Sequence, residues 1–149
     1  MDWQSATLGA LGLVAVATAL GLFWRSRDGR ARTVADALAV VRPADVASVV
    51  SFGEFATLLQ FSTELCARCP QTHTLLSSLA RHNPGVVHVD VDLTHRADIA
   101  KRFNVLQTPT ILVLDDAGVV RTRIGGAPHR HTVQHHLDLI ARSDHRANA

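Results

Sequence analysis

Cysteine is scarce in this sequence, and its scarcity argues against several kinds of site. The 149 residues include two cysteines, Cys66 and Cys69. A structural zinc site takes four ligands, commonly from two cysteine pairs, and this sequence has no second pair. His73 could approach Cys66, but one helix cannot easily complete a metal shell. We therefore expect no metal at this cysteine pair.

Charge is absent from the N-terminal segment. No charged residue occurs from Trp3 to Trp24, and the nineteen residues from Ala6 to Trp24 contain two threonines as their only polar side chains. Nineteen helical residues span about 28 Å, close to the thickness of a bilayer's hydrocarbon core. The sequence predicts a transmembrane anchor over residues 5–24. The alternatives are a buried core helix and a cleaved signal peptide, although the basic leading region and the cleavage site of a signal peptide are missing.

Basic residues follow this segment directly. Residues 25–32 contain four arginines and one aspartate, a net charge of +3 (four minus one). The positive-inside rule then predicts a single-pass membrane protein whose C-terminal part is cytoplasmic, with an extracytoplasmic domain as the alternative. We interpret residues 25–43 as a basic juxtamembrane linker. From Ala44 onward ten basic and ten acidic residues balance, and nothing indicates a nucleic-acid partner.

Hydrophobic periodicity predicts an α/β domain over residues 44–143, followed by a tail at 144–149. The predicted order is β-α-β-α-β-β-α. Helical crossovers imply parallel strand pairing, and a turn of about three residues implies an antiparallel hairpin. The fold class is therefore a four-stranded mixed sheet flanked by helices. The predicted strands are 56–62, 86–92, 110–115 and 119–124, and the predicted helices are 70–81, 96–103 and 132–142.

Cys66 and Cys69 follow the first predicted strand and open the first predicted helix. A C-x-x-C pair near a βαβ pattern is typical of a redox-active dithiol. A thiolate at a helix N-terminus meets free N–H groups and the positive end of the helix dipole, which lower its pKa. The two-residue spacing lets the second sulfur reach the first, and Arg68 adds a positive charge between them. Half of a zinc site and an inert structural disulfide are the alternatives.

Three segments resemble those of the thioredoxin family, in the family's order and spacing, over roughly residues 45–142. They are the run FSTELCARC before a helix, the run QTPT at 107–110 before TILVLDDAG, and the run RIGG at 123–126. The resemblance implies a thioredoxin fold. It also implies that Cys66 is the attacking nucleophile and Cys69 the resolving thiol.

The same resemblance assigns a substrate-binding loop opposite the cysteines. It implies that Pro109 is cis and that the backbone of Thr108 pairs with a substrate strand. It also assigns Gly125 to the glycine turn beside the active site. Four histidines cluster after this turn: His129, His131, His135 and His136. We interpret them as solvated surface, with a weak metal site or a pH-sensitive partner surface as alternatives.

The sequence also departs from the family pattern. Leu65 occupies the usual tryptophan position, and Ala-Arg separates the cysteines. Gln60 occupies the position of the family's buried acid, and His88 that of its partner lysine. An amide cannot take a proton near neutral pH, so Gln60 is excluded as a general base and Cys69 is expected to deprotonate through water. Arg68 and Gln60 are therefore predicted to tune the thiolate.

We predict a thiol–disulfide oxidoreductase, specifically a protein-disulfide reductase working at the membrane surface. Its partners are protein disulfide or dithiol clients and a separate electron donor, either a reductase or a small thiol. No cofactor is expected beyond the redox-active Cys66–Cys69 disulfide. The alternatives are an extracytoplasmic protein that oxidises or maintains thiols, and a redox-inactive adaptor or metallochaperone.

Overall fold

The computed structural model describes residues 3–25, 31–33, 40–46 and 51–147. Within these ranges it contains four α-helices and five strands. The helices are α1 (Trp3–Arg25), α2 (Cys69–His82), α3 (Ala97–Arg102) and α4 (Arg130–Ala147). The strands are β1 (Ala31–Thr33), β2 (Ala56–Ser62), β3 (Val86–Asp92), β4 (Thr110–Asp115) and β5 (Val120–Gly125).

The strands form one mixed sheet in the order β1-β5-β4-β2-β3. β2 and β3 are parallel, whereas the β2–β4, β4–β5 and β1–β5 pairs are antiparallel. The four-stranded mixed sheet predicted from the sequence is therefore confirmed. The additional strand β1 lies at the edge, within the predicted linker. Residues 26–30 and 34–39 of that linker lie outside the described residues.

β2 lies in the interior of the sheet and directs the chain toward the cysteines. Its first six side chains are buried, as expected for a strand covered on both faces. Because successive side chains point to opposite faces, Leu58 packs into one hydrophobic cluster and Leu59 and Phe61 into the other. Burial of each large side chain contributes about 1.5–3 kcal/mol. β2 therefore holds the turn that follows Ser62 in a defined position.

Helices cover both faces of the sheet. On one face, Leu76 and Leu79 of α2 and Leu137 of α4 pack in the same buried cluster as Leu58. On the other face, Ile99 of α3 belongs to the cluster that contains Phe61. α4 continues to Ala147, beyond residue 143, at which the sequence predicts the end of the domain.

The N-terminal segment is helical, but the predicted membrane location is wrong. Among the described residues no helix is long and apolar enough to cross a membrane. The inferred cytoplasmic orientation, which depended on such a span, has no remaining basis.

Candidate active site

The two cysteines form a disulfide at the start of α2. The Cα atoms of Cys66 and Cys69 are 5.4 Å apart. Cys69 is the first residue of the helix, whereas Cys66 lies in the preceding turn, where its N–H donates to the carbonyl of Thr63. Pro70 occupies the first turn of the helix, where a missing N–H has no intrahelical partner to lose. The chain therefore enters α2 immediately after the turn that carries Cys66.

The two cysteines differ in accessibility. Cys69 is 5% exposed and belongs to the buried residues, whereas Cys66 is half-buried. Cys66 is therefore more open to solvent than Cys69. This asymmetry matters because an incoming disulfide can be attacked by an accessible sulfur.

A loop before β4 closes over the cysteine turn. The Thr108–Pro109 peptide bond is cis, as the family resemblance implied. The hydroxyls of Thr63 and Thr108 are hydrogen bonded at 3.2 Å, so the end of β2 is joined to this loop. The N–H of Gly126 donates to the carbonyl of Pro109. The segments predicted to form the site are thus brought together.

A groove of about 400 Å³ lies between these segments. Gly126 lines it, while Gly125, the predicted glycine, pairs with Thr110 in the sheet. A side chain at Gly125 would meet Gln107, another groove residue. Leu65, which precedes Cys66, is 97% exposed, and Leu106, which precedes the groove residue Gln107, is 87% exposed. The groove is lined by Thr63, Leu65, Cys66, Ala67, Arg68, Gln107, Thr108 and Gly126.

A second cleft of about 530 Å³ reaches the disulfide from another side. Both cysteines, Pro70 and His73 line it together with acidic side chains. The hydroxyl and backbone N–H of Thr94 donate to Asp92 and lower the pKa of its carboxyl. The acidic side chains of this cleft are Glu64, Asp90 and Asp92.

Beneath the cysteines lies a hydrogen-bonded network that includes Gln60, whose side chain is fully buried. Its Nε2 donates to the carbonyl of Cys69 at 3.2 Å, and its Oε1 faces Nε2 of His88 at 3.3 Å. Nδ1 of His88 lies 2.9 Å from the hydroxyl of Ser77. The amide orientation makes His88 Nε2 the donor and leaves Nδ1 to accept from Ser77. With His88 neutral, the side chains of Gln60, His88 and Ser77 therefore each have a hydrogen-bond partner in this network.

The electrostatics of His88 agree with this assignment. Burial, and secondarily the nearby charge of His73, lower the pKa of His88 from 6.5 to about 4. The rings of His73 and His88 contact edge to face, with centroids 4.8 Å apart. From the sequence, His73 was weighed only as a metal ligand, and its contact with His88 was not predicted. Its position four residues after Cys69 signals only that His73 lies near that cysteine, since such residues share a helix face.

The histidines after the glycine turn do not converge. His129 stacks on His131 and His135 contacts His136, both with ring centroids 5.6 Å apart. Nδ1 of His136 bonds to the hydroxyl of Thr122, and burial followed by the charge of His135 lowers the pKa of His136. In the part of the chain that the structure describes, no group of three or more His, Cys, Asp or Glu residues is arranged to hold a metal ion.

A disulfide at a helix start, beside a cis-proline loop on a mixed sheet, defines a thioredoxin-type oxidoreductase. The thioredoxin family model matches residues 38–138. Thioredoxin C-2 of Corynebacterium nephridii is 33% identical over 76 residues, which are 50% of this chain and 70% of that protein. The thioredoxin of Bacillus subtilis strain 168 is 29% identical over 94 residues, 61% of this chain and 88% of that protein. The chain belongs to the thioredoxin family.

Solved structures agree at the level of fold. The crystal structure of thioredoxin f from spinach chloroplast superposes with a TM-score of 0.52. It is 20% identical, and the alignment covers 60% of this chain and 79% of that one. Together with the Cys66–Cys69 pair, family membership makes this chain a disulfide oxidoreductase.

Proposed function

We propose that the chain reduces disulfide bonds of protein clients, with Cys66 as the attacking nucleophile and Cys69 as the resolving thiol. The unequal exposure of the two cysteines carries this assignment. Cys66 lines the groove beside the cis-proline loop, and Cys69 is almost fully buried behind it. A client disulfide therefore meets Cys66 first. The exposed side chain of Leu65 offers an apolar contact beside the point of attack.

The proposed reaction proceeds through a mixed disulfide. The Cys66 thiolate attacks one client sulfur, and the other leaves as a thiolate. Cys69 then attacks Cys66 and releases the client in its reduced form. The backbone of Thr108 and the glycine turn at Gly126 hold the client's extended strand across the groove during exchange. No cofactor takes part, and a separate reductase or small thiol returns two electrons to the Cys66–Cys69 disulfide.

Two substitutions relative to the family pattern adjust the potential in this proposal. Gln60 is neutral where a buried acid would disfavour the thiolate, and Arg68 adds a positive charge at the groove. Both favour the reduced protein. The chain is then a weaker reductant than a thioredoxin of about −270 mV. The same two residues support the second candidate function, the oxidation of client thiols.

Trapping tests the proposal. In the full chain, Cys69→Ser should accumulate a mixed disulfide between Cys66 and a model protein disulfide, because no resolving thiol remains. The matched variant Cys66→Ser should trap nothing and should lose catalytic turnover. Mass spectrometry after alkylation identifies the bonded cysteine. Equal trapping by the two variants would contradict the assignment of roles, and net oxidation of a dithiol client in glutathione buffer would favour the second function.

A further inference from the structure

The resolving cysteine needs a proton acceptor, and the residues beneath it cannot serve. Cys69 must become a thiolate before it attacks the mixed disulfide. Gln60, its buried neighbour, is an amide and cannot accept a proton near neutral pH. His88 uses Nε2 to donate to Gln60 and Nδ1 to accept from Ser77. The buried network therefore fixes the backbone of Cys69 without offering a base.

His73 occupies the position that a base requires. It is exposed and lines the same cleft as Cys66 and Cys69. Both His73 and Cys69 belong to α2, four residues apart, and Cβ atoms at this spacing are about 5–6 Å apart. The edge contact with the ring of His88 limits the orientations of the imidazole. An imidazole held at this distance reaches a thiol directly or through one water.

We propose that His73 is the general base that deprotonates Cys69 when the mixed disulfide is resolved. The proposal rests on the function assigned above, in which Cys66 attacks and Cys69 resolves. It replaces deprotonation through bulk water with a transfer inside the second cleft. It also gives a catalytic role to a helix residue outside the C-x-x-C pair and the cis-proline loop.

The proposed step balances in atoms and electrons. The proton of the Cys69 thiol passes to a ring nitrogen of His73. The Cys69 sulfur forms a bond with Cys66, and the bond between Cys66 and the client sulfur breaks. The client sulfur leaves with the electron pair and takes a proton from the imidazolium or from water. Two electrons have then passed from the protein dithiol to the client disulfide.

The charges around the cleft suit this role. Three acidic side chains line it with His73. They are poorer acceptors themselves, because a carboxylate is a weak base at neutral pH. Asp90 accepts a hydrogen bond from the hydroxyl of Ser62, and Asp92 accepts hydrogen bonds from the hydroxyl and backbone N–H of Thr94. On the sheet side, the neutral ring of His88 faces His73. The acidic side chains are Glu64, Asp90 and Asp92.

A substrate with two signals separates attack from resolution. We would use a peptide disulfide with a quencher on one half and a fluorophore on the other. Attack by Cys66 separates the halves and raises the intensity, whereas resolution releases the bound fluorescent half and lowers its anisotropy. In the reduced full chain, His73→Gln should slow resolution about tenfold or more at neutral pH, below the roughly 100-fold at which general-base effects begin because water remains as an acceptor. The deficit should shrink as hydroxide takes over at high pH.

Two controls isolate the proton transfer. His82→Gln removes an exposed histidine farther along α2 and should leave both rates at the wild-type values. Added imidazole should restore resolution in His73→Ala more than it accelerates the wild type. If attack proceeds but His73→Gln resolves at the wild-type rate across the pH range, His73 is not the base. If attack itself is missing in the wild-type protein, the proposed reductase function fails instead.

Discussion

Acidification should weaken the fold through one half-buried imidazole. The pKa of His88 is lowered to about 4 by burial and then by the charge of His73, against 6.5 without these effects. Above pH 6.5 the folded and unfolded chains both carry His88 neutral, and the stability is fully present. As the pH falls from 6.5 towards 4, the unfolded chain binds a proton that the folded chain does not. The free energy of unfolding therefore decreases through this window.

The size of the effect follows from the two pKa values. At pH 4.5 the linkage between 6.5 and about 4 reduces the free energy of unfolding by about 2.4 kcal/mol relative to pH 7. His88 is only partly buried, and solvent screening reduces this figure, so we expect about 1–2 kcal/mol. Domains have a total stability of about 5–15 kcal/mol, so the loss is measurable.

Urea denaturation of the oxidised chain at several pH values between about 7 and 4.5 measures this loss. His88→Gln removes the titrating group while keeping a donor for Gln60, so its free energy of unfolding should fall by about 1–2 kcal/mol less than that of the wild type. His82→Gln controls for the removal of a surface imidazole from α2. Parallel pH profiles of His88→Gln and the wild type would refute the linkage argument.

Three further outcomes are expected. Arg68→Ala should lower the reduction potential, measured in glutathione redox buffers, by up to about 30 mV, and by less where solvent screens the exposed guanidinium. An unchanged potential would show that Arg68 does not tune the thiolate. Leu65→Ser should raise KM for a protein client while changing the free energy of unfolding by no more than about 0.5 kcal/mol, and an unchanged KM would exclude a client contact. Phe61→Ala should cost about 3–5 kcal/mol in urea denaturation because Phe61 is fully buried against Phe103, and a loss below about 1 kcal/mol would contradict that packing.

The strands that the sequence predicts best are those with strong side-chain patterns. The predicted bounds of β2, β3 and β4 are confirmed, because buried, β-branched runs bounded by turns are distinctive. β5 begins and ends one residue later than predicted. β1 was missed because three residues at an edge are held by backbone pairing with β5, which leaves no periodic pattern in the sequence.

The candidate site also combines features that local sequence motifs predict with features that depend on long-range contacts. The cysteine spacing and the proline loop are local motifs, and the structure brings Cys66 and Thr108 to one groove. The contact of His73 with His88 joins α2 to β3, and no local pattern specifies which residue of the strand faces the helix. The shift from Gly125 to Gly126 as the groove residue reflects where β5 ends, which side-chain periodicity defines poorly.

Gln60 and His88 are best understood as a single replacement. Where the family pattern has a buried acid and a lysine, this chain has an amide and an imidazole, and a neutral amide gives a buried cation no partner charge. Burial keeps His88 neutral, and its two ring nitrogens then suit Gln60 and Ser77. No buried side-chain polar atom among the described residues lacks a hydrogen-bond partner, so the exchange leaves no unsatisfied group. A fully satisfied neutral network cannot take the proton of Cys69, which is why the proposed proton acceptor, His73, lies at the surface of the cleft.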